Sequence, residues 1–263
     1  MHTAMDTNRE ANSTSYQPLR GKMGVYVKKY LIGKGAQGAV SVGKVIEAKS
    51  SEFSVGHDVA LKTGNLSDWG VIREIKMFQK LVERQKESPQ ESYIVRYHEA
   101  IGSRQLNKVT LVLEYCSGED LFQNIINSNG TYSEDRAAAT IHTIALVLSN
   151  LMQWNIIHRD LKPENFVYTN RTDDKVLKLI DFGMSCFADE SADIRNSAAG
   201  TLMYNPPESF NSEPATYASD IWSLGKENLI SIYSTQYMSF IHHSLFEEYI
   251  VDSTEYYWRT SLI

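Results

Sequence analysis

The chain has 263 residues, with 26 Lys+Arg against 32 Asp+Glu, for a formal net charge of −6. Apolar residues at 42% and charged residues at 22% make an ordinary globular composition, which excludes a wholly disordered, collagen-like or coiled-coil chain. The mild acidity argues against nucleic acid as the main partner. The absence of a long apolar run or secretory signal, with only Cys116 and Cys186 as cysteines, makes a soluble cytoplasmic protein without a disulfide framework the expectation.

Residues 1–24 are polar with little periodicity and read as a flexible tail. From Val25 the texture changes. Short β-branched runs at Tyr30–Ile32, Ala39–Val45, Val59–Lys62 and Val109–Leu113 alternate with glycine and polar breaks, which predicts a small antiparallel sheet in a first unit spanning 25–116. A charged helical pattern over Val71–Glu87 interrupts it, with Ile72, Ile75, Phe78 and Val82 at helical spacing. Beyond it the chain is helix-rich. Ser133 opens a helix with Glu134 and Asp135 in the first turn, where they complement the helix dipole. Ile141, Ile144, Ala145, Leu148, Leu151 and Met152 then form its apolar stripe. Val176–Ile180 is a brief strand leading into Asp181.

Gly33-Lys34-Gly35-Ala36-Gln37-Gly38-Ala39-Val40 has the form G-x-G-x-x-G-x-V. Such glycines allow backbone amides to approach a polyphosphate, although a plain glycine-rich hairpin satisfies the same pattern. A dinucleotide fingerprint would need a helix straight after the glycines, whereas Ala39–Val45 reads as a strand. Lys62 ends the apolar run Val59-Ala60-Leu61, either as a snorkelling surface lysine or as a cation at a cleft. Glu74, within the helical pattern, is a carboxylate that could orient it.

The segment His158-Arg159-Asp160-Leu161-Lys162-Pro163-Glu164-Asn165 carries the most chemistry. Phosphoryl transfer needs a carboxylate for the nucleophile's proton, a cation for developing charge and oxygen ligands for Mg²⁺. Asp160, Lys162 and Asn165 supply these on one loop, and Asp181 of Asp181-Phe182-Gly183 adds a second metal-ligand oxygen at a strand end.

These motifs, in this order, resemble the eukaryotic protein kinase family, whose signature joins a glycine-rich loop, a strand lysine, H-R-D-L-x-x-x-N, D-F-G and A-P-E. Pro206-Pro207-Glu208 stands in place of the last. The resemblance implies an α+β bilobal fold: a small antiparallel sheet with one main helix in the N-lobe, a mostly helical C-lobe over 117–225, and ATP with Mg²⁺ as cofactors. It implies nucleotide contacts at Gly33, Lys34, Gly35, Gly38, Val40, Ala60, Lys62, Leu113, Glu114, Cys116 and Asp120. Glu74 would pair with Lys62, Asp160 would orient the acceptor hydroxyl, and Asn165 and Asp181 would bind Mg²⁺. Phe78, Tyr97, His158 and Phe182 match the family's stacked apolar spine.

Lys162 and Gly200-Thr201 are similar to serine/threonine kinases, and Cys116-Ser117-Gly118 and Lys162–Phe166 to the calcium/calmodulin-dependent group. No EF-hand loop accompanies them. The resemblance implies protein substrates, with Asp120 and Glu164 at positions that read basic residues. Ser197 and Thr201 lie in the activation segment, and Arg159 is the partner for an activating phosphate added by an upstream kinase. After Gly225 the polar Lys226-Glu227-Asn228 replaces the expected apolar helix, so the C-lobe is expected to be incomplete, with 226–263 an atypical tail. An inert kinase-like binding module is therefore the alternative to an active enzyme. A small-molecule phosphotransferase fits Gly200–Glu208 less well.

Overall fold

The computed structural model describes residues 17–35, 38–87, 93–128, 132–190, 206 and 214–225. The chain divides into two compact units, Met1–Val82 with Val95–Cys116, and Glu83–Ile94 with Ser117–Ile263.

The first unit is a six-stranded sheet of order β1-β2-β3-β4-β6-β5. Its strands are β1 (Leu19–Arg20), β2 (Gly24–Gly35), β3 (Gly38–Ala48), β4 (Asp58–Asn65), β5 (Tyr97–Ser103) and β6 (Lys108–Glu114), with every neighbour antiparallel. The tail expected before Val25 is corrected at its end. Leu19 and Arg20 pair with Tyr26 and Val25, while the Glu99 carboxylate accepts the amides of Lys22 and Met23 at 2.7 and 3.1 Å. Glu99 also accepts the Tyr26 hydroxyl at 2.6 Å, and burial beside that carboxylate raises the phenol's pKa.

Direct cross-strand partners share a face, so register sorts the side chains. Val40, Lys62 and Leu111 form one row, and Val42, Ala60 and Leu113 the next. The opposite face carries Leu61 beside Val112, and with Tyr26, Val45, Phe53 and Val59 these build a buried core. Burying one such aliphatic side chain contributes about 1.5–3 kcal/mol.

Helix α1 (Trp69–Glu87) begins two residues before its expected start. Its buried stripe is Val71, Glu74, Met77, Phe78 and Leu81, whereas Ile72, Ile75 and Val82 are only half-buried. The expected stripe is rotated because a carboxylate, Glu74, occupies the centre of the buried face. Apolar spacing alone therefore points beside it.

In the second unit, α2 (Leu121–Asn127) is capped by Asp120, which accepts the Gln123 amide at 2.8 Å. Helix α3 (Glu134–Gln153) starts at the Ser133 cap and buries the expected stripe except Met152, which is half-buried. Two short ladders follow: β7 (Ile156–Ile157) with β10 (Cys186–Phe187), and β8 (Phe166–Tyr168) with β9 (Leu177–Leu179). Between them Pro163–Asn165 forms a single 3₁₀ turn, and α4 spans Tyr217–Gly225. Among the described residues, no helix is long and apolar enough to cross a membrane.

Candidate active site

In the sheet unit the candidate residues lie on regular elements. The hairpin β2–β3 pairs Gly33 with Val40 and Gly35 with Gly38, and a strand follows the glycines where a dinucleotide fold would place a helix. A Cβ added at Gly33 or Gly35 would meet nothing within 4 Å, so these backbones stand open to a ligand. Gly38 is glycine for another reason. Its φ of +139° is unfavourable for other residues, and a Cβ there would lie 2.1 Å from the Thr63 carbonyl oxygen.

Lys62 sits on the row between Val40 and Leu111, and its Nζ donates to Glu74 Oε1 at 2.7 Å. Glu74 is wholly buried and Lys62 nearly so, with side-chain exposures of 0% and 11%. This is the pairing that the strand-and-helix pattern left open. Phe78, one turn further along α1, stacks on Tyr97 at 5.6 Å. Lys34 departs from expectation. It pairs with Ala39, whose partner is Thr63, so its side chain lies on the face opposite Lys62.

In the helical unit the candidates sit on irregular backbone held by side chains. Lys162 Nζ contacts Asp160 Oδ2 at 2.9 Å. Asn165 Nδ2 donates to the Asp160 carbonyl at 2.8 Å and to Oδ2 at 3.3 Å. One amide group thus braces both the backbone and the carboxylate of Asp160, which directs the Asn165 side-chain oxygen to serve as an acceptor. The β8–β9 ladder returns the chain so that the Ile180 amide donates to the Asn165 carbonyl at 3.0 Å, bringing Asp181 beside Asn165. Asp181 Oδ1 accepts the Gly183 amide at 3.0 Å, and pairing of β10 with β7 fixes the far side of the segment.

The catalytic-type loop bends through Arg159, a non-glycine residue with φ of 70°. Asp220, at the start of α4, stabilises that bend by accepting the amides of His158 and Arg159, each at 2.7 Å. Burial pushes the Asp220 carboxyl up to about 7, opposed by those two amides and the Arg159 charge. His158 is also fully buried, edge-on to Phe182 at 5.2 Å, and burial holds its pKa below the ordinary histidine value against the nearby Asp181 and Asp160 charges. Tyr132 is pushed up to about 12, mainly by burial.

The protein kinase domain family matches residues 26–255. The chain belongs to the protein kinase family. It is similar to a calcium and calcium/calmodulin-dependent serine/threonine-protein kinase of Lilium longiflorum, 37% identical over 63% of this chain and 30% of the relative. A calcium/calmodulin-dependent serine/threonine-protein kinase of Malus domestica is 37% identical over 62% of this chain and 38% of its own. CDPK-related kinase 3 of Arabidopsis thaliana is 32% identical over 74% of this chain and 31% of its own. Two of these relatives are named as calcium/calmodulin-dependent serine/threonine kinases. The chain spans about a third of the length of the curated relatives it matches. The family match also runs past Gly225, where the resemblance was expected to end.

The kinase's oxygen donors fit Mg²⁺. Asn165 and Asp181 offer an amide and a carboxylate oxygen, while no group of three His, Cys, Asp or Glu suited to a metal occurs among the described residues. That fits a cation bound by one or two protein oxygens together with substrate phosphates rather than by a protein cage. Ala60 and Leu113 share a row on the Lys62 face, and the Glu114 amide donates to the Arg96 carbonyl at 2.8 Å. Cys116 is half-buried. Ser197, Thr201 and Glu208 lie outside the described residues, and Pro206 is buried. Asp220 is a residue that sequence reasoning missed. Its function is to hold the loop backbone, and no local pattern signals a bond formed 62 positions away.

Proposed function

We propose that this protein transfers the γ-phosphate of ATP to serine or threonine hydroxyls of protein substrates. The observation that carries the reading is the hydrogen-bonded set of Asp160, Lys162 and Asn165, with Asp181 brought beside it by the β8–β9 ladder. The acceptor oxygen forms a bond to the γ-phosphorus as the bond to the departing ADP oxygen breaks, and Asp160 accepts the hydroxyl proton. Lys162 stabilises the charge developing on the transferred group. Lys62, held by Glu74, engages the α- and β-phosphates, with the open backbone of Gly33 and Gly35 available to the same phosphates. Asn165 and Asp181 would hold Mg²⁺, which would supply neutralisation of phosphate charge.

In substrate choice, exposed Glu164 is the carboxylate for a basic residue near the target. Asp120 is engaged as the α2 cap, so its contribution is the smaller. An upstream kinase acting on Ser197 would supply a phosphate for Arg159, in a cytoplasmic setting. The test is phosphate transfer from radiolabelled ATP by the 1–263 chain, with Asp160→Asn and Asp181→Ala as controls. Transfer that both substitutions abolish supports the proposal. ATP binding without transfer would replace it with a nucleotide-binding scaffold.

A further inference from the structure

The core face of the sheet does not stay apolar along its length. Leu61 and Val112 are buried partners, and two residues on, on the same face, stand Thr63 and Thr110. Register extends that row from Lys34 through Ala39, Thr63 and Thr110 to Ile101, across five strands. Here the packed core gives way to a cavity of about 540 Å³, all of whose lining residues belong to the sheet unit. That is the volume of a small-molecule site.

The lining has two parts. Leu19 and Ile101, which also pack on the core cluster, join Leu106 as an apolar wall. Lys28, Lys34 and Lys108 supply three cations to the other. Among the described residues none of the three forms an ion pair with a carboxylate, and the Asp68 side chain in the same lining accepts the Gly70 amide at 2.8 Å. Lys28 Nζ donates to Thr63 Oγ1 at 2.9 Å, and Thr63 Oγ1 lies 2.9 Å from Thr110 Oγ1. An ammonium has three donors, so Lys28 keeps two beyond that bond. In a chain of net charge −6, three lysines against the one carboxylate of Asp68 give this hydroxyl-lined hollow a surplus of positive charge.

We propose that this cavity is a second ligand site, binding a small phosphate monoester on Lys28, Lys34, Lys108 and the threonine hydroxyls, with the ester's carbon body against Leu19, Ile101 and Leu106. The lysine and threonine side chains of this site lie on the face opposite that of Lys62, while the backbones of Gly35 and Gly38 border both the cavity and the glycine-rich loop. Burial and the neighbouring Lys108 hold the Lys28 pKa below its ordinary value, a penalty that a bound dianion relieves.

The test is calorimetric titration of the full chain with phenyl phosphate and with inorganic phosphate, in saturating ATP and Mg²⁺. Saturable binding is expected, tighter for phenyl phosphate because only it reaches the apolar wall. Lys28→Met and, separately, the exposed Lys108→Met should each weaken binding about tenfold. Lys62→Met should leave it unchanged, with circular dichroism checking the fold of each variant. Loss of binding in Lys62→Met with retention in Lys28→Met and Lys108→Met would assign the phosphate to the nucleotide residues and overturn the proposal. Absence of saturable binding would overturn it too, as would equal affinity for the two probes with no effect of either lysine substitution.

Discussion

The two units position chemistry by opposite means. In the sheet unit Lys62 stands in a strand and Glu74 in a helix, and their 2.7 Å contact follows from ladder register and helix packing. In the helical unit Asp160 stands on irregular backbone, and what holds it is a handful of side chains: Asn165 on its carbonyl, Lys162 on its carboxylate and Asp220 on the two preceding amides. Regular structure spreads the task of positioning over many backbone bonds, whereas an irregular loop concentrates it in a few replaceable groups. Single substitutions should therefore damage the two units in different ways.

The largest effect is expected at Asp160. Asp160→Asn keeps the size of the side chain and removes the proton acceptor, so kcat should fall by about 10²–10⁴-fold. ATP affinity should stay within about twofold by equilibrium titration, because only a transition-state interaction is lost. A parallel collapse of ATP binding would break the division between the units. Next comes Glu74→Ala, which removes the buried carboxylate partner of the nearly buried Lys62 ammonium. Removing one partner of such a pair costs about 3–5 kcal/mol, to be read from urea denaturation, and here KM for ATP should rise. Asp220→Asn should cost less, about 1–3 kcal/mol, because one of the two loop amides it holds loses its acceptor. Its signature is a lower kcat at unchanged KM for ATP, since the disturbed backbone carries Asp160 and not Lys62.

The smallest effect concerns pH. Asp220, raised to about 7, binds a proton in the folded state that the unfolded state releases near pH 4, so its contribution to stability is lost as pH rises between those values. His158, lowered by burial, works the other way: its contribution is present above about pH 6.5 and is lost as pH falls. The two oppose each other in mildly acidic solution. His158→Phe, which also keeps an aromatic ring against Phe182, should make the protein relatively more stable at pH 5 than at pH 7.5 in thermal melts. Asp220→Asn should do the reverse. The same pH dependence in both variants would show that neither group titrates as its burial requires.

What could be read in advance follows the same division. The strands of the sheet, the α3 stripe and the motif residues were legible because alternation, helical spacing and short motifs are local properties. The Lys62–Glu74 pair was legible as a candidate, yet the α1 stripe was misplaced by the very fact that Glu74 is buried. A charged residue at the centre of a packed face inverts the pattern used to find that face. Lys34 was grouped with its glycine neighbours, although strand alternation turns it to the other side. Leu19–Arg20 passed for tail because a two-residue strand shows no period. Its anchor, Glu99, lies 77 positions from Lys22. Bonds of that kind leave no local trace.

Asp220 also ties the timing of the site's formation to a distant part of the chain. The loop amides at His158 and Arg159 wait for an acceptor 62 and 61 positions further on. Closing so long a segment carries an entropy cost that a ladder between adjacent strands does not. During synthesis the sheet unit and its lysine can form while the helical unit is still emerging. The bend that aims Asp160 cannot be secured until α4 has been made. A nascent chain stopped before residue 220 would therefore carry every residue of the catalytic motif while lacking the clamp that gives them their geometry.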